Sequence, residues 1–527
     1  MSRVDPTARL TAAVVALSVL GVVLRLVALG ERPFHWDEAR AGVWALRFAR
    51  TGVFEYRPVA GGPLPYHLAR ASLSLLGTTD AAARLPVALV GGLLPLAALG
   101  LRTRLSATET VLLAALLAGS PPLVYYGRVL RGDLLLAAAA FLACVLVVRA
   151  VDTERQSAAF AAVLAAVAAL AASGFVVATA ACVVAAVAVS VDARWVSLDD
   201  LAALPNRVRA RSTLVARLFL VGVAAVVFLF APRDGSASLW NPLAFPDVLA
   251  FVFGEAPGRF FAVRVASRYA DGATHELWPF VASLLEVLLA AAPVTLLAGV
   301  FGALYDRYVG SVRPVVTFFT AWAGVGVLVF PTVAEVDGPW TAVHVVVPLA
   351  VPAAVGLARG VAFLRDAVAR EDAAVVASAL LVCAAAVAGV GAVFADDVYG
   401  EPTPDSSLAG YAQPADDLDP FAANLSGEST VLYYGDRFHT RGWTEADGPP
   451  VPDAWGNRLP LPWYVAREGG SSTTLPSGAP LPETPPAVVV TTPEDAPTLR
   501  PELADYERSR YRLALWNREV VVFVGRS

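Results

Sequence analysis

The chain has 527 residues, of which 57% are apolar and only 16% charged, with a formal net charge of −5. That balance excludes an ordinary soluble domain and supplies no basic field for nucleic acid, so no nucleic-acid partner is expected. All 40 basic residues are arginine, and the apolar residues gather in runs of membrane-spanning length.

By the rule that roughly 20 apolar residues cross the hydrocarbon core, about eleven spans are predicted. They are Leu10–Leu29, Arg84–Leu101, Thr110–Ser120, Leu134–Val148, Ala158–Ala172, Gly174–Ser190, Leu214–Ala231, Phe280–Phe301, Pro314–Pro331, Val343–Leu364 and Ala373–Phe394. The first follows Arg3 and Arg9, is long for a signal peptide and has no small-x-small cleavage site before Glu31; a retained anchor is expected. One uninterrupted apolar stretch over 158–190 must be cut at Ser173-Gly174 to give two of these spans. Two ionisable residues sit deep inside spans. Arg25, about a turn from the outer end of the first, is expected to snorkel outward, while Glu286, in the eighth, has no assigned role.

With the N-terminus in, arginines populate the inner loops: Arg102 and Arg104, Arg149 and Arg155, Arg194 with Arg207, Arg209 and Arg211, Arg307 and Arg313, Arg365 and Arg370. The positive-inside bias then places 30–83, 121–133, 232–279, 332–342 and everything after 395 outside. The expected fold is an all-α polytopic membrane bundle over 1–395, N-terminus in and C-terminus out, followed by a small extracytoplasmic α/β domain over 396–527. The linker is the acidic, Pro- and Ser-containing Ala395–Asp419. In the outer domain Val431–Tyr434, Ala487–Thr491 and Val520–Val524 are β-like, Pro493–Ser509 has a helical pattern, and the Pro-rich 449–486 reads as irregular. From Asp396 onward 20 Asp and Glu face 10 Arg. An acidic, lysine-free exterior is a composition suited to high salt, a halophilic setting. Cys144, Cys182 and Cys383 all lie in predicted spans, so neither a disulfide framework nor a thiolate metal site is expected outside.

The chemistry gathers in the outer loops. Loop 30–83, which includes Arg32-Pro-Phe-His35-Trp-Asp37-Glu38-Ala, enters an amphipathic segment with Trp36, Ala39, Val43 and Leu46 at helical spacing, expected to lie along the membrane surface. Asp37 and Glu38 are an N-terminal cap and first-turn acid in the bland reading, and candidate catalytic carboxylates in the functional one. Neighbours on a helix diverge by about 100°, so one carboxylate at most aims easily at a given atom, and Asp37 is the expected one. Further candidates for binding the substrate are His35, His67 in Gly62-Pro-Leu-Pro-Tyr-His67, Arg128, Arg131 and Asp133 in Tyr125-Tyr-Gly-Arg128-Val-Leu-Arg131-Gly-Asp133, and Trp340 and His344 in Gly338-Pro-Trp340-Thr-Ala-Val-His344. Two outer arginines run against the charge bias and suit a phosphate, whose oxygens match the guanidinium fork. Interfacial anchoring is the alternative for Arg128 and Arg131, and simple burial for His344. A divalent cation on Asp37 and Glu38 is a further candidate, without a full ligand set.

The order of these motifs, with Asp80-Ala-Ala-Ala-Arg84-Leu-Pro86 leading into the second span, resembles the multi-spanning lipid-phosphosugar glycosyltransferases, among them the protein O-mannosyltransferases and the aminoarabinose transferases of lipid A. The chain resembles more closely still an archaeal family described as flippase-activity-associated in N-glycosylation, through Trp36–Ala39, Pro339–Leu349 and Tyr433–Gly435. The resemblance implies a bundle that takes a sugar from a polyprenyl-phosphate carrier on the outer face, with Asp37 as general base. Some relatives place a lysine near the carrier phosphate; this chain has none, so Arg128 and Arg131 would serve instead.

The expected activity is therefore transfer of a sugar from a polyprenyl (dolichyl) phosphate to a glycan or protein acceptor at the outer face of the cell membrane. The alternative is a non-catalytic protein that binds or helps translocate such a lipid. A secondary transporter is disfavoured, since no inverted repeat is evident.

Overall fold

A computed structural model describes the chain apart from residues 1–4, 57, 59, 60, 193–202, 204, 205, 207, 208, 236, 267–276, 412, 445–452, 515–517, 526 and 527. The arginine loop expected over 192–212 lies largely outside the described residues.

The N-terminal part is helical: α1 (Pro6–Leu26), α2 (Trp36–Thr51), α3 (Pro63–Leu76), α4 (Asp80–Leu93) running into a 3-10 stretch Leu94–Leu101, α5 (Ala107–Gly119), α6 (Pro121–Tyr126), α7 (Gly132–Thr153), α8 (Gln156–Leu170), α9 (Val176–Asp192), α10 (Ser212–Phe230), α11 (Leu277–Ala291), α12 (Pro293–Tyr308), α13 (Pro314–Val333), α14 (Thr341–Ala369) and α15 (Ala373–Val393). Among the described residues seven of these segments are long and apolar enough to cross a membrane, and α5, α8 and α9 are shorter apolar helices. The expected span Phe280–Phe301 is not one straight helix. Ala292 leaves helical geometry, Pro293 opens α12, and the two halves meet at 104°; proline is well placed at a helix start but breaks one it interrupts.

Arg25 does not snorkel. It is fully buried and donates to the carbonyls of Gly21, Ala118 and Leu123 at 2.8–3.1 Å, filling the break where Ser120-Pro121-Pro122 separates α5 from α6. A helix end leaves carbonyls without partners, and in an apolar bundle a guanidinium with several donors answers several of them at once. Glu286 sits on an exposed face of α11.

The loops expected to share one side do gather at one end. Arg32 donates to the carbonyls of Asp397 (2.8 Å) and Gly400, Arg259 pairs with Glu55, and Arg264 pairs with Glu335 at 2.6 Å. The opposite end carries Arg104 on Asp152 (2.5 Å) and Arg313 between Glu109 (3.0 Å) and Asp306 (2.7 Å).

The C-terminal part forms one five-stranded sheet of order β2-β1-β3-β5-β4, from β1 (Thr430–Tyr434), β2 (Ser471–Leu475), β3 (Val488–Thr491), β4 (Tyr506–Arg512) and β5 (Glu519–Gly525). β2, β1 and β3 run parallel, while β5 and β4 are antiparallel to their neighbours. The three β-like runs are strands, as their unbroken Val, Phe and Tyr content demands. Two expectations fail. The segment 449–486 holds edge strand β2 and helix α16 (Leu461–Arg467), and of Pro493–Ser509 only Ala496–Leu499 is helical, its end belonging to β4. β2 is Ser-Ser-Thr-Thr-Leu, an edge strand with little apolar signal, and β4 is charged on its exposed face. Both lie at sheet edges, where polar side chains are tolerated and protect against edge pairing.

α16 docks this domain onto α2. Trp463 is fully buried, stacks on Phe34 at 4.4 Å and donates to Asp80 at 2.8 Å; Arg467 pairs with Asp80 at 3.0 Å, and the Tyr464 hydroxyl accepts from the Phe34 N–H at 3.0 Å.

Candidate functional site

α2 begins where His35 and Glu38 close a capping box. The His35 Nδ1 accepts from the Asp37 N–H at 3.1 Å, and the Glu38 carboxylate accepts from the His35 N–H at 2.9 Å. The His35 Nε2 bonds the Tyr411 carbonyl at 2.9 Å, which makes Nε2 the protonated nitrogen and fixes the tautomer. Burial lowers the His35 pKa below its ordinary value, so the ring is neutral.

From this fixed start the two acids part. Glu38 is completely buried and accepts from Arg84 Nε (2.8 Å), Arg84 Nη2 (2.7 Å) and the Leu130 N–H (2.6 Å). Burial alone would raise its pKa, but the Arg84 charge and these donors more than offset that and hold it low. Asp37 turns the other way, into a cavity of about 440 Å³ whose lining also includes Trp36, Arg40, Gly61, Arg131, Gly132, Asp133, Ser173, Arg264, Glu335, Trp340, Tyr411 and Arg518. Its side chain keeps 29% of its exposure and pairs with Arg131.

The cavity floor is built from backbones in close contact. The Gly62 and Leu64 N–H groups donate to the carbonyls of Ala172 (3.2 Å) and Ala171 (2.8 Å). A Cβ on Gly62 would meet the Ala171 oxygen at 2.1 Å and one on Gly132 the Ala172 oxygen at 2.0 Å. Only glycine lets the starts of α3 and α7 approach the 171–173 turn this closely.

Arg131 is the hub of the cation wall. Its Nε donates to Asp133 at 2.8 Å, its guanidinium lies 3.9 Å over the Trp340 ring, and Asp37 takes a further N–H. Burial works against its charge, but Asp37 and Asp133 raise its pKa above the ordinary value. Asp133 also accepts from Ser173 at 3.3 Å and lies 3.5 Å from His344 Nε2. His344 is buried, stacked on Phe330 at 4.5 Å, and reaches the cavity only through Asp133. Arg40 is the residue that sequence reasoning missed. It lines the cavity one turn after Asp37, lies over the Trp36 ring at 5.6 Å, and has no carboxylate within ion-pair distance among the described residues. Burial lowers its pKa, with Asp37 opposing. The signal was present: Asp37 and Arg40 stand at i and i+3, on one face of the helix already predicted.

Other expected site residues lie elsewhere. Arg128 does not reach the cavity; it caps the end of α1 by donating to the carbonyls of Val27 and Ala28 (3.0 Å for the latter) beneath the Tyr399 ring. His67 bonds the Leu229 carbonyl at 2.9 Å among Phe48, Phe54 and Phe228, and burial lowers its pKa to about 4. The divalent-cation site considered at Asp37 and Glu38 is not assembled. Glu38 is committed to Arg84, and among the described residues no three His, Cys, Asp or Glu converge.

These features define a multi-pass membrane protein with a charged cavity at one end of its bundle. Two family models match it: residues 58–204 match the dolichyl-phosphate-mannose-protein mannosyltransferase model, and residues 413–525 match that of the Agl23 flippase-associated protein C-terminal domain. The resemblance read from the motifs is thus matched by two family models, one over 58–204 and one over 413–525. No curated protein sequence matches it. Its fold is similar to that of ArnT from Cupriavidus metallidurans, with TM-score 0.57 in the apo state and 0.58 bound to undecaprenyl phosphate, at 17% identity over 97% of this chain and 98% of that one. The Archaeoglobus fulgidus oligosaccharyltransferase in complex with Zn and sulfate is similar with TM-score 0.51, at 16% identity over 96% of this chain and 73% of that one.

Proposed function

We propose that the chain is a membrane glycosyltransferase that takes a sugar from a polyprenyl (dolichyl) phosphate and passes it to a glycan or protein hydroxyl, with 1–395 as the transferase bundle and 396–527 as an outer domain. The observation that carries this reading is the pairing of functions on one face of α2, a carboxylate at Asp37 and an uncommitted guanidinium at Arg40, both opening into the cavity. The match of residues 58–204 supports the donor class. The undecaprenyl phosphate bound by ArnT, whose fold this chain shares, is a ligand of the same chemistry.

In this mechanism the acceptor hydroxyl attacks the anomeric carbon as Asp37 takes its proton. The bond from that carbon to the phosphate oxygen breaks, and the sugar is transferred with inversion. Arg40 and Arg131 stabilise the charge that grows on the departing polyprenyl phosphate, in a partly dehydrated cavity where such contacts are strong. The donor phosphate competes with Asp37 for Arg131, so donor binding frees the carboxylate from its pairing with that guanidinium.

The match of residues 413–525 to a flippase-associated domain favours a second reading, in which the same cavity binds the lipid phosphosugar without transferring its sugar. Purified protein in lipid, supplied with dolichyl-phosphate mannose and a hydroxyl-bearing glycan or peptide acceptor and assayed for free dolichyl phosphate, separates the two. Release of the carrier that Asp37→Asn abolishes supports the transferase. Donor binding without turnover in the wild type supports the second reading.

A further inference from the structure

A second hollow lies apart from this cavity. It is a groove of about 650 Å³ between the Asp80–Leu101 segment, α7, α8 and α3, walled by side chains such as Leu93, Leu96, Leu99 and Leu142. Its size is in the range of sites that enclose a long-chain ligand, and its walls are almost wholly apolar. Along α7 it runs from Leu135 to Arg149, about 21 Å at the helical rise, or most of the depth of a hydrocarbon core.

The end away from the C-terminal domain is different in kind. There Arg102 and Arg149 line the groove, and neither has a carboxylate partner among the described residues. Partners are present nearby: Arg104, two residues from Arg102, takes Asp152 at 2.5 Å. Bias in loop charge accounts for arginines on this side of the membrane, but not for two of them, without an acid partner among the described residues, at the mouth of an apolar channel.

We infer that this groove is a binding site for a long-chain lipid with an anionic phosphate headgroup, in the leaflet opposite the C-terminal domain. One chain lies along α7 between the leucines, and the phosphate sits between Arg102 and Arg149, where two guanidinium forks supply charge-assisted donors. The site is independent of the Asp37 cavity: its cations lie at the other end of the spans, and the lipid it holds is bound, not consumed.

Native mass spectrometry of the detergent-solubilised full chain tests this with two single-chain probes, oleoyl lysophosphatidylglycerol and oleoyl lysophosphatidylcholine. The wild type is expected to retain the anionic lipid about tenfold better, the scale of a lost charged hydrogen bond. The double variant Arg102→Gln/Arg149→Gln should erase that preference and Arg104→Gln should keep it. Ala139→Phe, which fills the groove at mid-length, should lower retention of both lipids while leaving the headgroups alone. Equal retention of the two lipids by the wild type means annular lipid only and overturns the site. So does an unchanged preference in the double variant, or unchanged retention in Ala139→Phe.

Discussion

Asp37 and Glu38 are adjacent in the chain and opposite in environment, so substituting them separates chemistry from architecture. His35 and Glu38, not Asp37, cap α2, and asparagine matches aspartate in size, so Asp37→Asn is expected to keep the fold and donor binding while transfer falls roughly 10²–10⁴-fold, the scale of a lost general base; carrier release by the purified variant measures this. Glu38→Ala strips the partner from a buried arginine and should cost on the order of 3–5 kcal/mol, read as a large drop in thermal stability in detergent. The carboxyl pair was legible in the sequence as a pair, and the 100° divergence correctly marked Asp37 as the one facing a cavity. What could not be read is that Arg84 and Leu130 converge on Glu38, since those partners come from separate segments. The same holds for Arg128 and Arg131. They look alike in the motif, and only the position of the α1 terminus makes one a cap and leaves the other in the cavity.

At the scale of elements, two arrangements depend on single polar side chains. Arg25 holds the α5–α6 break, and Arg25→Leu leaves several buried carbonyls unanswered, a loss on the order of 3 kcal/mol measured by thermal or denaturant unfolding in detergent. α3 is held against α10 through His67, whose pKa falls from 6.5 to about 4 on burial. A group whose pKa is lower folded than unfolded adds stability that is complete above the unfolded value and is lost as pH falls. Stability should therefore decline as pH drops from about 6.5 towards 4, and His67→Phe should flatten the slope in that window, as seen in melting temperatures recorded across it. Of about eleven expected spans, the seven long apolar helices were legible because apolar length is a strong signal, yet the kink at Pro293 was passed over because hydropathy averages across a single proline. Strands β2 and β4 were missed for the reverse reason: edge strands carry a weak apolar pattern, and pairing with β1 and β5 decides them.

For the whole molecule, the decisive joint is α16 on α2. Trp463→Ala removes a stacked, hydrogen-bonded and fully buried ring, a change that typically costs about 3–5 kcal/mol, and should loosen the C-terminal domain from the bundle. Faster cleavage by a protease added to the intact protein, within residues 396–419, is the expected reading. Sidedness is tested separately. Single cysteines placed in the C-terminal domain and near Arg104 should label from opposite faces of sealed vesicles, the former from outside. Labelling of the C-terminal domain from the cytoplasmic face would reverse the orientation derived from the arginine loops.

The cavity draws on the two extremes of the chain: Asp37 and Arg40 come from its first tenth, Tyr411 and Arg518 from its last quarter. A protein made from its N-terminus onward inserts its helices long before those last residues leave the ribosome. The Asp37 carboxylate is thus in place early, but the chamber around it is complete only once Tyr411 and Arg518 join it. A chain cut short before Tyr411 would insert its helices yet lack the full lining of this cavity, so assembly of the chamber waits on the C-terminal segment.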